Sequence, residues 1–417
     1  MASPTLIRQV AVFDGRQRLP GQDVLIDGGL IAATGPNLAG PPGAIVVDGT
    51  GKTLLPGLID AHVHTTSATQ LRQSLVFGVT TELDMGGEPE LSRRLRAVAR
   101  ERDDVADLRI ATTGATAPGG HPHQLVEIGM LKPFPTVEGP DHAAHFVADR
   151  VADGADHLKI FIEDGTVAGK PMPTMSDETV IALVEAAHAH GLRTAAHTWT
   201  RGAVRQAIAC GVDILAHPPS DGPSDQELIE AVAAAGSTVV STLPPLAGMS
   251  TSSPEFDLAR DPRLRPYADP EWLAGLDRIR AIDPGSRMGP LGVRTSDAAD
   301  ASMRMFRLGV PLLAGTDGTG GDHPTTHGIS YHGELGLLVA AGLTPAEALI
   351  AATAAPADAF GLDDRGRIAA GLRADLVLVN GNPLDDITVL RDITTIWRNG
   401  TTVDRSACPS EQELIRS

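Results

Sequence analysis

The middle of the chain alternates short apolar runs with amphipathic stretches, and that alternation limits the fold more than any other feature. The runs fall at 58–61, 78–84, 108–113, 157–162, 193–197, 213–217, 237–243 and 310–316. Short, nearly continuous apolar runs are what strands buried on both faces of a parallel sheet require. Between most of them lie helical patterns such as 177–190 (DETVIALVEAAHAH), with Ser176 placed to cap the N-terminus and Gly191 to stop the helix. Eight such strands with intervening helices predict an α/β fold, a (β/α)8 TIM barrel. A doubly wound open sheet would use the same elements, but no glycine-rich phosphate fingerprint follows an early strand.

The two ends read differently. Residues 1–56 and roughly 361–405 carry short β-like runs and turns, among them VLIDGGLIAATG, AIVVDGTG, ADLVLVNGNP and TTIWRNGTTV. The simplest arrangement pairs them as one small β-sandwich built from both chain ends, 1–56 with 361–417, around a catalytic barrel of 57–360. Two long stretches without a clear pattern, 114–141 and 244–295, follow predicted barrel strands. Loops at that end of a barrel build active sites, so both are candidate pocket walls or lids.

A length of 417 residues, with 42% hydrophobic and 21% charged, is ordinary for a globular protein with ample core. The net charge of -18 argues against nucleic acid and anionic membranes as partners. Cys210 and Cys408 alone support neither a disulfide framework nor a cysteine-based zinc site. No basic start followed by an apolar run opens the chain, and no run of about 18 apolar residues occurs. A cytoplasmic enzyme with a small-molecule substrate, assembled as a homo-oligomer, is the expectation.

The stretch GLIDAHVHT at 57–65 places His62 and His64 two residues apart at the end of the first predicted strand, so both rings project to one side. Two imidazoles on one face can grip one metal ion. Taken alone, they could equally be half-exposed histidines where a strand meets a loop. Further along, Lys159 lies in the fourth run, His197 ends the fifth, His217 ends the sixth, and Asp317 follows the eighth. Each singly has an ordinary explanation as a cap, a solvent-facing residue or a turn. Gathered at one end of one barrel, they point to metal. Only four lysines occur, so one inside an apolar strand asks for a reason. Its amine can react with carbon dioxide to give a carbamate, which bridges two ions as a carboxylate would and which Arg cannot readily form. The ordinary alternative is a buried Lys159 paired to an acid.

At this point a resemblance becomes plain. The runs VLIDGGLIAATGP, VVDGTGKTLLPGLIDAHVH, GADHLKIF, AHTWT, ILAHP, AGTDG, HGELGLLVAAGLTPAEALIAAT and GRIAAGLRADLVLVNGNPL together resemble the amidohydrolase superfamily almost end to end. The similarity is to its imidazolonepropionase-like and prolidase-like binuclear metal hydrolases. The resemblance implies that His62, His64 and Asp317 bind the more buried ion. It assigns His197 and His217 to the second, with carboxylated Lys159 bridging two divalent ions, most simply zinc.

Two such ions, about 3.5–4 Å apart, would acidify a bridging water to hydroxide and polarise a carbonyl. Asp317 would carry the proton to the leaving nitrogen. His121 or His123, in GGHPHQL, would donate to the oxyanion or hold the substrate. Trp199 and His323 are candidate substrate contacts, and His327 and His332 are candidates to reach the pocket. His142, His145, His188 and His190 read as helix-surface positions. Where many relatives have a small or polar run ending in Gly, this chain has Thr198, Trp199, Thr200 and Arg201. A Trp there suits a flat ring. No Tyr lies near the fourth strand to grip a carboxylate, which argues against a dipeptidase. The leading expectation is cleavage of an amide, cyclic amide or carbamate C–N bond. The alternatives are ring-closing dehydration at the same site and an inactive metal-dependent scaffold, the latter opposed by the complete ligand set.

Overall fold

The computed structural model describes residues 3–248, 253–281, 292–320 and 323–415. Its strands are β1 (Thr5–Phe13), β2 (Arg18–Asp27), β3 (Leu30–Gly35), β4 (Ile45–Asp48), β5 (Lys52–Pro56), β6 (Leu58–Val63), β7 (Val79–Asp84) and β8 (Asp107–Ile110). There follow β9 (His157–Phe161), β10 (Arg193–His197), β11 (Ile214–Leu215), β12 (Thr238–Val240), β13 (Leu312–Leu313), β14 (Leu376–Asn380), β15 (Ile393–Arg398) and β16 (Thr401–Thr402). Helices separate most of the central strands, so the fold is α/β.

The central strands pair in parallel and in chain order, β6-β7-β8 in one sheet and β9 through β13 in another. Their edges are linked at both seams. Between β8 and β9, Ala115 donates to the Lys159 carbonyl at 2.8 Å and Phe161 donates to the Ala115 carbonyl at 2.9 Å. Between β13 and β6, Ala61 donates to Ala314 at 3.0 Å and His64 to Gly318 at 2.9 Å. Side chains alternate as a strand's period of two demands. On β9, Leu158 and Ile160 join the core shared with the helices, including Val180 and Leu183, while Lys159 takes the opposite face. A second core lies among the strands themselves, where Ile59, Ala61, Leu83, Ala195, Ile214, Val240 and Leu313 pack with Ala357 and Leu362.

The chain ends share one hydrogen-bonded sheet, ordered β16-β15-β14-β5-β1-β2-β3, with β4 beside β1. The join is the antiparallel ladder of β5 and β14, from Leu376 opposite Pro56 to Asn380 opposite Lys52. Val10, Val24, Ile31, Leu54, Leu376, Leu378 and Trp397 form its buried face. Only Gly57 separates β5 from β6. A Cβ there would lie 2.1 Å from Thr80 Oγ1, so the strand crosses β7 too closely for any other residue.

The segment 244–295, expected to be irregular, is largely helical where described: Leu243–Gly248, Glu255–Leu258 and Pro270–Ala281. Residues 249–252 and 282–291 of it lie outside the described residues. Proline opens the last helix, and Trp272 and Leu276, four apart, bury one face of it against Phe77, Leu258 and Ile329. The 114–141 segment contains one short helix, His123–Glu127. The helix Asp177–Ala189 starts as expected, with Ser176 Oγ accepting from the Thr179 amide. Among the described residues, no helix is long and apolar enough to cross a membrane.

Candidate metal centre

The centre starts at the end of β6. His62 is buried there, and His64, half-buried, follows the strand. Each ring is held from behind by a backbone carbonyl: His62 Nδ1 by Ala216 O at 3.1 Å and His64 Nδ1 by Gly86 O at 3.2 Å. A carbonyl can only accept, so Nδ1 carries the proton and Nε2 presents a lone pair. Both Nε2 atoms face Asp317 Oδ1, at 3.4 Å from His62 and 3.3 Å from His64. Asp317 arrives from the turn after β13, with its backbone at φ +52°. Asp tolerates that left-handed conformation better than most residues. Gly315 makes the approach possible, since a Cβ there would lie 2.6 Å from Val240 Cγ1 and 3.0 Å from His62 Cβ. Donor atoms of His62, His64 and Asp317 all lie within 4.8 Å of one another, which suits a single ion.

The second group of histidines abuts the first. The His62 and His217 rings are 4.7 Å apart between centroids. His197 Nδ1 and His217 Nε2 converge to 3.0 Å. His217 Nδ1 is held by Thr242 Oγ1 at 2.8 Å, and Thr242 sits at φ +39°, a strained conformation for a β-branched residue. His197 Nε2 points the other way, toward Glu163 Oε2 at 3.8 Å.

Lys159 is fully buried, and Nζ has no hydrogen-bond partner among the described residues. Burial pushes its ammonium down to about 7, with the nearby Asp317 and Asp84 carboxylates opposing. The same burial, aided by the charges of the other basic groups, holds His62, His197 and His217 well below the usual imidazole range. These rings are therefore neutral, the form that ligates metal. Burial alone would raise the Asp317 carboxyl. The basic side chains that face it, His64 foremost, outweigh it and keep Asp317 well below the carboxylate range. The residues present fit metal ions on their own account: His62 Nε2 and Lys159 Nζ are buried polar atoms with no hydrogen-bond partner among the described residues.

The other expected residues divide. His121 stacks on His197 at 4.8 Å, with Gln124 Nε2 2.7 Å from its Nδ1, and burial holds it down at about 4. His123 instead packs against Phe134 at 4.7 Å. Trp199 stands beside the second group, 5.3 Å from the His197 ring and 5.5 Å from His217. His323 Nδ1 contacts Thr325 Oγ1 at 3.4 Å, and burial holds its imidazole below the usual range against the opposing charge of Asp317. His327 and His332, expected to approach the pocket, are committed elsewhere. His327 pairs with buried Glu82 at 2.7 Å, and His332 bonds the Phe77 carbonyl at 3.0 Å. The surface positions hold for His142, His145, His188 and His190, all exposed.

Sequence reasoning missed the acids that surround the histidines. Asp60 accepts from the Thr316 amide at 3.0 Å and from its hydroxyl at 2.7 Å, pinning the turn before Asp317. Glu82 receives Thr65 Oγ1 at 2.7 Å as well as His327, while Asp84 receives the Thr65 amide at 3.0 Å. A usable signal existed: two acids spaced i, i+2 in a fully buried strand must face one side together. For Glu163 there was none.

Residues 53–403 match the sequence profile of the Amidohydrolase family. The chain is 26% identical to the imidazolonepropionase of Deinococcus deserti over 93% of each chain. It is 28% identical to the dihydroorotase of Halobacterium salinarum, covering 92% of this chain and 88% of that one. Among solved structures, a putative prolidase from Bifidobacterium longum superposes with a TM-score of 0.75 at 26% identity, over 96% of this chain and 94% of the other. With the family profile spanning most of its length and a cluster of metal-ligating side chains at the strand ends, the chain belongs to the Amidohydrolase family and is an enzyme, a hydrolase acting on C–N bonds.

Proposed function

We propose that this hydrolase opens an amide, cyclic amide or carbamate-type C–N bond of a small molecule that carries a flat ring. The single observation behind the reading is the convergence of His62, His64 and Asp317 within 4.8 Å, with His197 and His217 against them and Lys159 Nζ buried with no hydrogen-bond partner among the described residues. His62, His64 and Asp317 would hold one divalent ion and His197 and His217 another, zinc by the donor set, with a carbamate on Lys159 between them. The ions would supply Lewis acidity toward the scissile carbonyl and toward water.

The chain's own residues have separable tasks. Asp317 accepts the proton of the attacking water and returns it to the leaving nitrogen. His121 accepts from Gln124 at Nδ1, which leaves its proton on Nε2 as a donor toward developing oxyanion charge. Trp199, His197 and His121 form an aromatic wall, which supports a flat substrate group stacked there. His323, and His123 if its loop turns, complete the candidate substrate contacts. The reading takes the eight parallel strands as a closed (β/α)8 barrel over 57–360, supported by the hydrogen bonds at both seams, and 1–56 with 361–417 as the accessory β-domain.

The test pairs elemental analysis with a substrate panel of linear amides, lactams, hydantoins and aryl carbamates. Two divalent ions per chain and hydrolysis of at least one ring-bearing member are expected. Protein that hydrolyses such a substrate while free of metal would defeat the reading.

A further inference from the structure

Three of the four histidines at the centre share one design. His62, His64 and His217 turn Nε2 inward and anchor Nδ1 on a fixed oxygen, respectively Ala216 O, Gly86 O and Thr242 Oγ1. His197 is reversed. Its Nδ1 meets His217 Nε2 at 3.0 Å, and its Nε2 points outward. The group behind it is the carboxylate of Glu163, with Oε2 3.8 Å away.

Both atoms of that contact are buried, and neither has a hydrogen-bond partner among the described residues. A buried N–H and a buried carboxylate oxygen that both lack partners are each costly, and each is what the other lacks. Glu163 is also aimed. Its Oε1 accepts the Gly165 amide at 2.8 Å, and Gly165 holds φ +73° where a Cβ would run into the Lys170 carbonyl. The turn Glu163-Asp164-Gly165 therefore fixes the carboxylate behind the ring. Among the described residues no Lys or Arg pairs with it, and His197 is its one basic neighbour within ion-pair distance. The gap is about 0.8 Å longer than a usual N–H···O bond, a distance that a small ring or carboxylate rotation closes.

We propose that Glu163 is the positioning residue of His197. By holding the Nε2 proton it fixes the tautomer and keeps the Nδ1 lone pair on the second metal position, the task that Thr242 performs for His217. The inference rests on the assignment of His197 and His217 to a second ion.

The experiment titrates cobalt(II) into metal-free full-length protein, following heat and visible absorption, for the wild type, Glu163→Gln and Glu163→Ala. Wild type should show two binding events. In Glu163→Ala the weaker event should lose about 10- to 100-fold in affinity with the tighter one unchanged. Glu163→Gln keeps an acceptor oxygen without the charge and should fall between them. Thermal unfolding of the metal-free Gln variant should match wild type, which separates positioning from general packing. If Glu163→Ala does not fold, Glu163→Asp, which withdraws the carboxylate by one methylene, takes its place. Two events of wild-type affinity in every variant would overturn the positioning role alone, and a raised KM in that case would make Glu163 a substrate contact. A single event in wild type would overturn the second ion itself and the inference with it.

Discussion

Asp317 and His62 are tied twice. The Asp317 amide donates to the His62 carbonyl at 2.8 Å, and Asp317 Oδ1 stands 3.4 Å from His62 Nε2. The backbone bond registers the end of the last parallel strand on the end of the first, and the side chains meet as a consequence. A candidate metal position is thus built by the seam of the fold, with Asp60 bonding Thr316 as a further tie.

That dependence predicts linked losses on chelation. Removing divalent ions from the purified enzyme should abolish turnover, and it should also lower the unfolding temperature, because ions that bind only the folded state stabilise it. Calorimetry with and without added zinc, alongside elemental analysis, checks both. Unaltered activity and unfolding in metal-free protein would count against any ligand role for the cluster.

Lys159 offers a sharper test. It is fully buried with no hydrogen-bond partner for Nζ among the described residues, an arrangement that costs several kcal/mol unless something satisfies the group. Lys159→Ala should lose metal and activity together, and short carboxylic acids small enough to fill the gap should restore part of each. A Lys159→Ala enzyme with wild-type turnover would reduce the residue to a structural lysine.

The junction between the end-derived sheet and the central strands should tolerate little change. Gly57→Ala places a methyl 2.1 Å from Thr80 Oγ1, and overpacking of that kind costs about 1–3 kcal/mol. Thr80→Gly, which removes the opposing side chain, should recover part of the loss in the double variant. Equal stability of Gly57→Ala and wild type in urea unfolding would show that the strands part easily there. Truncation after residue 360 should be harsher, because it strips β14 from β5 and exposes Leu54 and its neighbours. Insoluble protein is expected, and a soluble, active fragment would show that the ends do not act as one unit.

Much of this was legible because strand periodicity acts locally. Continuous apolar runs marked all eight parallel strands in order, although several ladders proved shorter than the runs: β11 and β13 keep two residues each. Apolar residues there continue past the last ladder bond because the turns, not only the strands, are buried. The ligand-type residues were visible because strand ends repeat around the fold. What escaped depended on contacts between distant segments. His327 looked like a pocket residue until Glu82 claimed it from β7, and Glu163 gained meaning only once His197 turned its ring outward. The helices within 244–295 were hidden by prolines, which usually interrupt helices but here sit at or near a helix start, as Pro270 does.

Asp317 carries two assignments that one substitution can separate. Asp317→Asn keeps the size and one oxygen beside His62 and His64 but removes the basic site. If Asp317 moves the proton, the variant should bind substrate almost normally, retain metal at least in part, and lose turnover by roughly 10²-fold or more. If Asp317 is a ligand only, activity should instead fall in step with metal content and return when metal is added. Metal stoichiometry and turnover measured on the same sample distinguish the two patterns. Full activity at full occupancy would remove Asp317 from the chemistry. The proton would then have to travel through a neighbouring imidazole, and His121, stacked on His197, and His323, within the field of Asp317, are the groups placed to carry it.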